Sequence, residues 1–354
     1  MIYLDYQATT PLAPEAREAM LYWLGDQGFA NPHSPHRPGR AAAAAVEVAR
    51  EQVAALLPPG GRVVFTSGAT EAINLAIIGS GARRIAVSAI EHAAVLDTAR
   101  ASGAQVQVLP VEPNGVLAAD VPIAPGTELI CAMQVNNEIG TIQPVAALAA
   151  RAAGALVLCD AVQGAGKLAA PEGADLIAIS AHKLYGPKGI GALWVRDGVR
   201  LAPLIHGGGQ EGGWRSGTLS PALCAGFGTA AALCKSQWES DRQHVENLWI
   251  TARALLADWQ LNGDADQRWR GNLNISREDL DVARLMSDCR DIAFSAGSAC
   301  ASGSGRPSHV LRALGLADKT AKSSIRIGFG RYTESGEFAE ALKRIDAAAR
   351  QQWA

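Results

Sequence analysis

Four groups of residues in this chain have types and neighbours that could do chemistry. Lys183 lies just beyond a short apolar run, Leu176 to Ile179, with Ser180 and His182 beside it and Gly186-Pro187 close behind. Such a run has the length and β-branched content of a buried parallel strand. Ligands sit outside the carboxyl ends of such strands, so Lys183 is placed to react as an amine; a surface lysine before a Gly-Pro turn is the local alternative. Asp160 ends a second apolar run, Val157-Leu-Cys-Asp160. A carboxylate there is expensive unless it meets a cation or caps a turn. Thr66-Ser67-Gly68-Ala69-Thr70-Glu71-Ala72 reads as a strand end turning into a helix. Its free N–H groups, its dipole and the hydroxyls of Ser67 and Thr70 would form a phosphate cup, although an ordinary N-cap looks the same. Cys300 stands among small residues, with Gly297, Gly303 and Gly305 around it and Arg306 and His309 near in sequence. A reactive thiol needs such access and nearby positive charge; an inert loop thiol is the alternative.

Taken together, the phosphate cup at 68, the strand-end Asp160 and the strand-end Lys183 form one set. It offers an anchor for a phosphate, a partner for a protonated ring nitrogen and an amine for an aldehyde, which is what pyridoxal-phosphate chemistry requires. Two other glycine-rich stretches are decoys. Gly186-Pro-Lys-Gly-Ile-Gly191 is not G-x-G-x-x-G, and Gly164-Ala-Gly-Lys167 lacks the first glycine and the Ser/Thr of a P-loop.

The elements that must position these groups alternate along the chain. Strands are predicted at 62–66, 84–88, 105–109, 128–133, 155–159, 175–179 and 192–195, with helices from about 69, at 93–101 and at 144–153. Alternation of this kind predicts an α/β fold, with a mostly parallel, seven-stranded-type sheet flanked by helices. Before it, Ile2 to Tyr6 is extended and Glu15 onward is helical in composition. Residues 31–39 carry three prolines and read as a loop, and a helix follows from Arg40 with Val46, Ala49, Val53 and Leu56 at helical spacing. Residues 221–260 read as one long helix. The pattern then restarts with strands near 271–275 and 291–294, a helix at 307–314, a strand at 324–329 and a terminal helix from Glu334. This organisation predicts a large cofactor domain over 15–240. A smaller α/β domain would combine 1–14 with 241–354 and carry the Cys300 loop.

Composition limits the partners. The 354 residues are 48% hydrophobic and 19% charged, with a formal net charge of −2, which gives no reason to expect nucleic acid or an anionic membrane. The start lacks a basic and apolar leader, and no apolar run reaches the roughly 18 residues of a membrane span, so the chain reads as cytoplasmic. Six cysteines include no C-x-x-C pair, which argues against structural zinc and against a disulfide framework.

The chain resembles cysteine desulfurases of the NifS/IscS type, in the class V aminotransferase group of fold-type I pyridoxal-phosphate enzymes. The resemblance runs almost end to end. It rests on Tyr3-Leu-Asp-Tyr-Gln-Ala-Thr-Thr-Pro11, Gly68-Ala-Thr-Glu71, Glu91-His92 and Val135-Asn-Asn-Glu-Ile-Gly140. It continues through Asp160-Ala-Val-Gln163, Ser180-Ala-His-Lys183, His206-Gly-Gly-Gly-Gln-Glu211, Arg215-Ser-Gly-Thr218 and Gly297-Ser-Ala-Cys300. It implies removal of sulfur from L-cysteine, giving L-alanine and a persulfide on Cys300 that an acceptor takes, either an iron–sulfur scaffold or a thiolation carrier. It also implies that Ala69, Thr70, Ser180, His182 and, from the other subunit of a homodimer, Thr218 hold the phosphate. His92 would stack on the ring and take part in the chemistry, Asp160 pair with its nitrogen, and Gln163 bond its phenolic oxygen. Asn137 would contact cofactor and substrate, Arg326 would clamp the substrate carboxylate, and Lys183 would carry the cofactor and move the α-proton. No resident metal is implied, although Cys300 could transiently ligate a nascent iron–sulfur cluster. A selenocysteine lyase or an aminotransferase is the alternative reaction on the same fold. Gly212 stands where the family usually has arginine, the stretch before Cys300 is shorter than in many relatives, and the chain stops soon after its last helix. These departures leave the acceptor open.

Overall fold

The computed structural model describes residues 1–26, 28–297 and 308–352; Cys300 and Arg306 lie outside the described residues. Its strands in chain order are β1 (Ile2–Tyr3), β2 (Gly61–Thr66), β3 (Arg84–Ser88), β4 (Gln105–Leu109), β5 (Leu129–Cys131), β6 (Leu156–Asp160) and β7 (Leu176–Ser180). There follow β8 (Gly191–Arg196), β9 (Gln260–Leu261), β10 (Asn272–Ser276), β11 (Ile292–Ala293), β12 (Ser295–Ala296) and β13 (Ser324–Gly328). Seven of them form one sheet in the order β2-β8-β7-β6-β5-β3-β4. Only β8 runs against its neighbours, so the sheet is mostly parallel, as the alternation predicts. Its central strands have no polar face because helices cover both sides. On β7, Leu176 and Ala178 pack with Ile73, Leu75 and Ile77 of the helix Ala69–Gly79. Ile177 and Ile179 face the opposite layer, with Val46, Ala49 and Val53 of the helix Arg37–Ala54 and Phe227 of the helix Pro221–Ser236.

A second sheet has the order β12-β13-β10-β9, and β1 pairs in parallel with β11 beside it. These strands share a separate apolar cluster in which Leu4 and Val135 join Leu273, Ile275, Ile325, Ile327, Phe338 and Leu342.

Three elements depart from the sequence expectation. The helix expected from Arg40 starts at Arg37, with Pro38 and Gly39 in its first turn. First-turn N–H groups have no intrahelical acceptor, so a proline there loses nothing, and His36 caps the start by accepting the Gly39 N–H at 3.1 Å. The single helix expected over 221–260 is two, Pro221–Ser236 and Trp238–Leu255, joined at Gln237 (φ −103°, ψ 9°). The break lets Phe227, Ala231 and Cys234 pack on the first core while Val245, Leu248 and Trp249 pack on the second. The strand expected near 291–294 is also two short strands, because β11 pairs with β1 and β12 with β13.

The glycine-rich stretch after β8 is pinned by one buried ion pair. The Glu211 carboxylate accepts from Arg50 Nη1 and Nη2 at 2.7 and 2.8 Å and from the Phe65 N–H at 2.7 Å. Glu211 itself has a left-handed backbone, φ 51°, which this triple contact holds in place. In Glu211→Ala the Arg50 guanidinium keeps only the exposed Glu47 as counter-charge and the Phe65 N–H loses its acceptor, and the unfolding free energy should fall by about 1–3 kcal/mol. Urea denaturation checks this; a midpoint equal to that of the unmodified chain contradicts the assignment of Glu211 as the anchor.

Candidate active site

A cavity of about 540 Å³ opens at the carboxyl ends of β6 and β7. Its walls carry Ala69, Thr70, His92, Asn137, Asp160, Gln163, Ser180, His182, Lys183 and Arg326, so residues spread over more than 250 positions meet in one space. Thr218 is not among them. It is exposed and lies on a neighbouring surface recess with Ser67, Gly189 and Arg215.

The floor is built by close backbone approach. A Cβ on Gly191, the first residue of β8, would stand 2.7 Å from the Gly68 carbonyl carbon, so a glycine lets the helix start Gly68–Thr70 settle on the sheet edge. The early N–H groups of that helix have no intrahelical acceptors and carry the positive end of its dipole toward the cavity. Glu71 secures the turn by accepting the Ser67 N–H at 2.7 Å, and Arg215 pairs with the same carboxylate at 2.8 Å. Ser180 and His182 stand opposite. Burial, then the charges of Lys183 and Lys188, push the His182 imidazole down to about 4. It is therefore neutral at pH 7 and able to donate to an anion.

Asp160 ends β6 and is buried, with Oδ1 accepting the Val162 N–H at 2.9 Å. Among the described residues it forms no ion pair within 4 Å. Burial raises its pKa, partly offset by the Val162 N–H and by the charges of His92 and Lys183. A carboxylate so placed would be relieved by a flat cation. His92 caps the helix Ala93–Ala101 through Nδ1, which accepts the Ala94 N–H at 3.1 Å, so the cap and a place on the cavity wall come from one ring. Gln163 Nε2 donates to the Gln7 carbonyl at 3.1 Å, and its Oε1 is buried with no hydrogen-bond partner among the described residues.

Lys183 Nζ reaches the carbonyls of Gln7 and Ala8, the latter at 2.9 Å. The turn behind it is fixed by Tyr185, a bulky residue at φ 67°. That strained backbone is held by Thr10 Oγ1, which accepts the Tyr185 N–H at 2.7 Å, and by the Arg331 N–H, which donates to the phenol at 2.9 Å. Arg326, 1% exposed, comes from β13. Its Nη2 pairs with Asp5 at 2.7 Å, its Nη1 donates to the Asn137 carbonyl at 3.1 Å, and its Nε has no partner among the described residues. The guanidinium, from the middle of β13, is thus both a member of an ion pair and part of the cavity wall.

The sequence reading assigned no role to Gln7, Ala8, Asp5 or Glu91. The first three act through backbone carbonyls or a pair 321 residues apart, which no spacing reveals. Glu91 had a weak signal as the residue before His92. Its Oε1 accepts the Met133 N–H at 2.7 Å, and its Oε2 is buried without a partner among the described residues.

Comparison with known proteins follows the same outline. The class-V aminotransferase family profile matches residues 2–340. A cysteine desulfurase IscS of Rickettsia bellii is 43% identical over 97% of this chain and 90% of its own length. A solved NifS-like protein superposes with a TM-score of 0.90 at 31% identity, covering 100% of both chains. A second solved structure, SspA in complex with cysteine, gives a TM-score of 0.82 at 35% identity over 94% of this chain and 100% of its own.

Glu91 generates a prediction. Burial, reinforced by the negative charge of Asp160, raises its carboxyl to about 8 in the folded state, against about 4.3 in an unfolded chain. Between those values the native state binds the extra proton. The stability this group contributes is therefore complete at acid pH and is lost as pH rises toward 8, by up to about 1.4 kcal/mol per unit. Glu91→Gln should show a shallower loss of stability between pH 5 and pH 8 in urea unfolding; equal slopes would mean that Glu91 is ionised in the fold.

Proposed function

The chain belongs to the class-V aminotransferase family, and on that footing we propose that it is a pyridoxal-phosphate-dependent cysteine desulfurase. The observation that carries the proposal is the meeting, in one cavity, of an amine, a buried carboxylate with no ion pair within 4 Å among the described residues and a helix start. The fit to the cofactor is testable on these groups as they stand. Asp160 needs a cation, the Gly68–Thr70 helix start with Ser180 and neutral His182 needs an anion, and Gln163 Oε1, on the same wall, has no partner among the described residues. A phosphorylated, protonated pyridine satisfies all three needs.

Ala69, Thr70, Ser180 and His182 would hold the phosphate, with Thr218 supplied by the partner subunit of a homodimer. The exposure of Thr218 outside its own cavity, beside Ser67, supports that division of labour. Asp160 would keep the ring nitrogen protonated, and His92 would cover the ring face. When bound, the cofactor supplies an electron sink for the pair left at the substrate α-carbon. Lys183 Nζ takes the α-proton, and the Gln7 and Ala8 carbonyls hold that amine at the cavity wall. Arg326 and Asn137 orient the substrate carboxylate; a buried guanidinium fork suits that task.

Cys300, as thiolate, attacks the sulfur of L-cysteine. The new S–S bond forms as the Cβ–S bond breaks, its electron pair stays with the carbon skeleton, a proton at Cβ makes the methyl group, and Lys183 Nζ returns the α-proton to complete L-alanine. The persulfide on Cys300 then passes to an acceptor, either an iron–sulfur scaffold or a thiolation carrier. The other five cysteines support this choice, since all are buried, with thiols pushed up by desolvation. The described flanks of the Cys300 segment also support it. Gly297 donates its N–H to Ser324 at 2.7 Å, two residues from Arg326, and the Ser308 hydroxyl bonds to Glu138, next to Asn137.

In Cys300→Ser, alanine and sulfide production from L-cysteine should fall to the no-enzyme background while the visible absorbance of the bound cofactor persists. Alanine formation at the unmodified rate would sink the desulfurase assignment. Production of an α-keto acid instead of alanine would point to the aminotransferase alternative.

A further inference from the structure

The turn Asn136–Gly140 follows β5 in the chain, yet its carbonyls are held from the opposite sheet. Asn137 O accepts from Arg326 Nη1 and from Asn272 Nδ2, both at 3.1 Å. Glu138 O accepts from Asn274 Nδ2 at 3.0 Å, Ile139 O from Arg268 Nη2 at 2.9 Å, and Gly140 O from the Trp269 N–H at 2.8 Å. Four successive carbonyls of a substrate-facing turn are thus fixed by donors on β10 and the approach to it. Such a turn cannot shift without moving the second sheet.

Arg268 is the unusual member of this set. It is 4% exposed and forms no ion pair among the described residues. Its guanidinium lies 4.7 Å from the Trp249 ring centroid and donates to the carbonyls of Ile139, Asn272 and Asp264, each at 2.9 Å. A buried guanidinium without a carboxylate is expensive, so its retention calls for a reason other than stability. What it provides is geometric. One arm of the guanidinium, Nη2, joins Ile139 O of the turn to Asn272 O of β10 while the other, Nη1, holds Asp264 O, and the Asn272 side chain in turn reaches Asn137 O, where Arg326 also docks. A lysine has the charge, but its donors share one nitrogen, so it has no second arm on Asp264 O to fix the direction of the contact with Ile139 and Asn272.

We propose that Arg268 is a positioning residue for recognition of the substrate α-carboxylate, acting through Asn272 and Asn137 on the placement of Arg326. The inference rests on the proposed role of Arg326 and Asn137. It makes the selectivity for amino acids over amines without a carboxylate depend on a side chain that never touches substrate.

The test uses the holoenzyme, with L-alanine and ethylamine as probes and the shift in cofactor absorbance as the readout. Ethylamine lacks only the carboxylate, and neither probe requires Cys300. Arg268→Lys and Asn272→Ala should each weaken L-alanine about tenfold relative to ethylamine, and should raise KM for L-cysteine with kcat little changed, the pattern of lost ground-state binding. A merely structural role would lower the melting temperature and weaken both probes alike, which would overturn the proposal, as would an unchanged ratio. If Arg268→Lys does not fold, Asn272→Ala, which removes one donor to the Asn137 carbonyl, decides by the same ratio. Failure of the desulfurase assignment is separately visible as an unmodified enzyme that makes no alanine from cysteine, whatever the probe ratio shows.

Discussion

Everything in this site depends on where residues 4–10 run. The segment passes between the two sheets and bonds to both. The Leu4 N–H donates to Ala293 O at 2.7 Å, its carbonyl accepts from Gly328, and the Thr10 N–H donates to His182 O at 2.9 Å. Within this strap, the Gln7 and Ala8 carbonyls receive the Lys183 amine and Asp5 receives Arg326. Two cations of the cavity, Lys183 and Arg326, one from each side, are therefore both held by the first ten residues of the chain. Loosening the strap would free the lysine and the arginine together.

The electrostatics follow from this closeness. Asp160 and Glu91 are buried near one another, and two carboxylates in one dry region cannot both ionise cheaply. Burial, then the charge of Asp160, raises the Glu91 carboxyl to about 8, which favours its protonated form, while, against burial, the Val162 N–H and the charges of His92 and Lys183 favour the anion at Asp160. On the other wall, His182 is kept neutral by burial and by the lysines around it, so the phosphate side offers donors without adding a full charge. The cavity thus has a negative end and a donor-rich end, as a zwitterionic ring with a phosphate arm requires.

Two of the three departures from the sequence reading share one cause. Gln237 breaks a helix whose composition continues, because the halves face different cores. Residues 292–296 divide into β11 and β12, because β1 and β13 each claim a partner. The early start at Arg37 differs: it is local capping by His36 that composition alone undervalues. Local propensity sets which residues can be helix or strand, and competition between two cores sets where an element must end.

By itself the sequence determined the parallel sheet, through apolar runs that leave no polar face on the central strands. It also singled out Lys183, Asp160 and the Gly68–Thr70 turn, at strand ends where ligands sit in such sheets, and the structure brings the three to one cavity. Cys300 too was legible only as a thiol among small residues, and the described residues do not include it. Tertiary structure alone decided how the cavity is closed: Lys183 against the Gln7 and Ala8 carbonyls, Arg326 on Asp5, and Arg268 gripping a turn 129 positions earlier. Backbone carbonyls carry no residue identity, and contacts of such separation leave no period in the chain. Their partners become visible only when the two sheets come together.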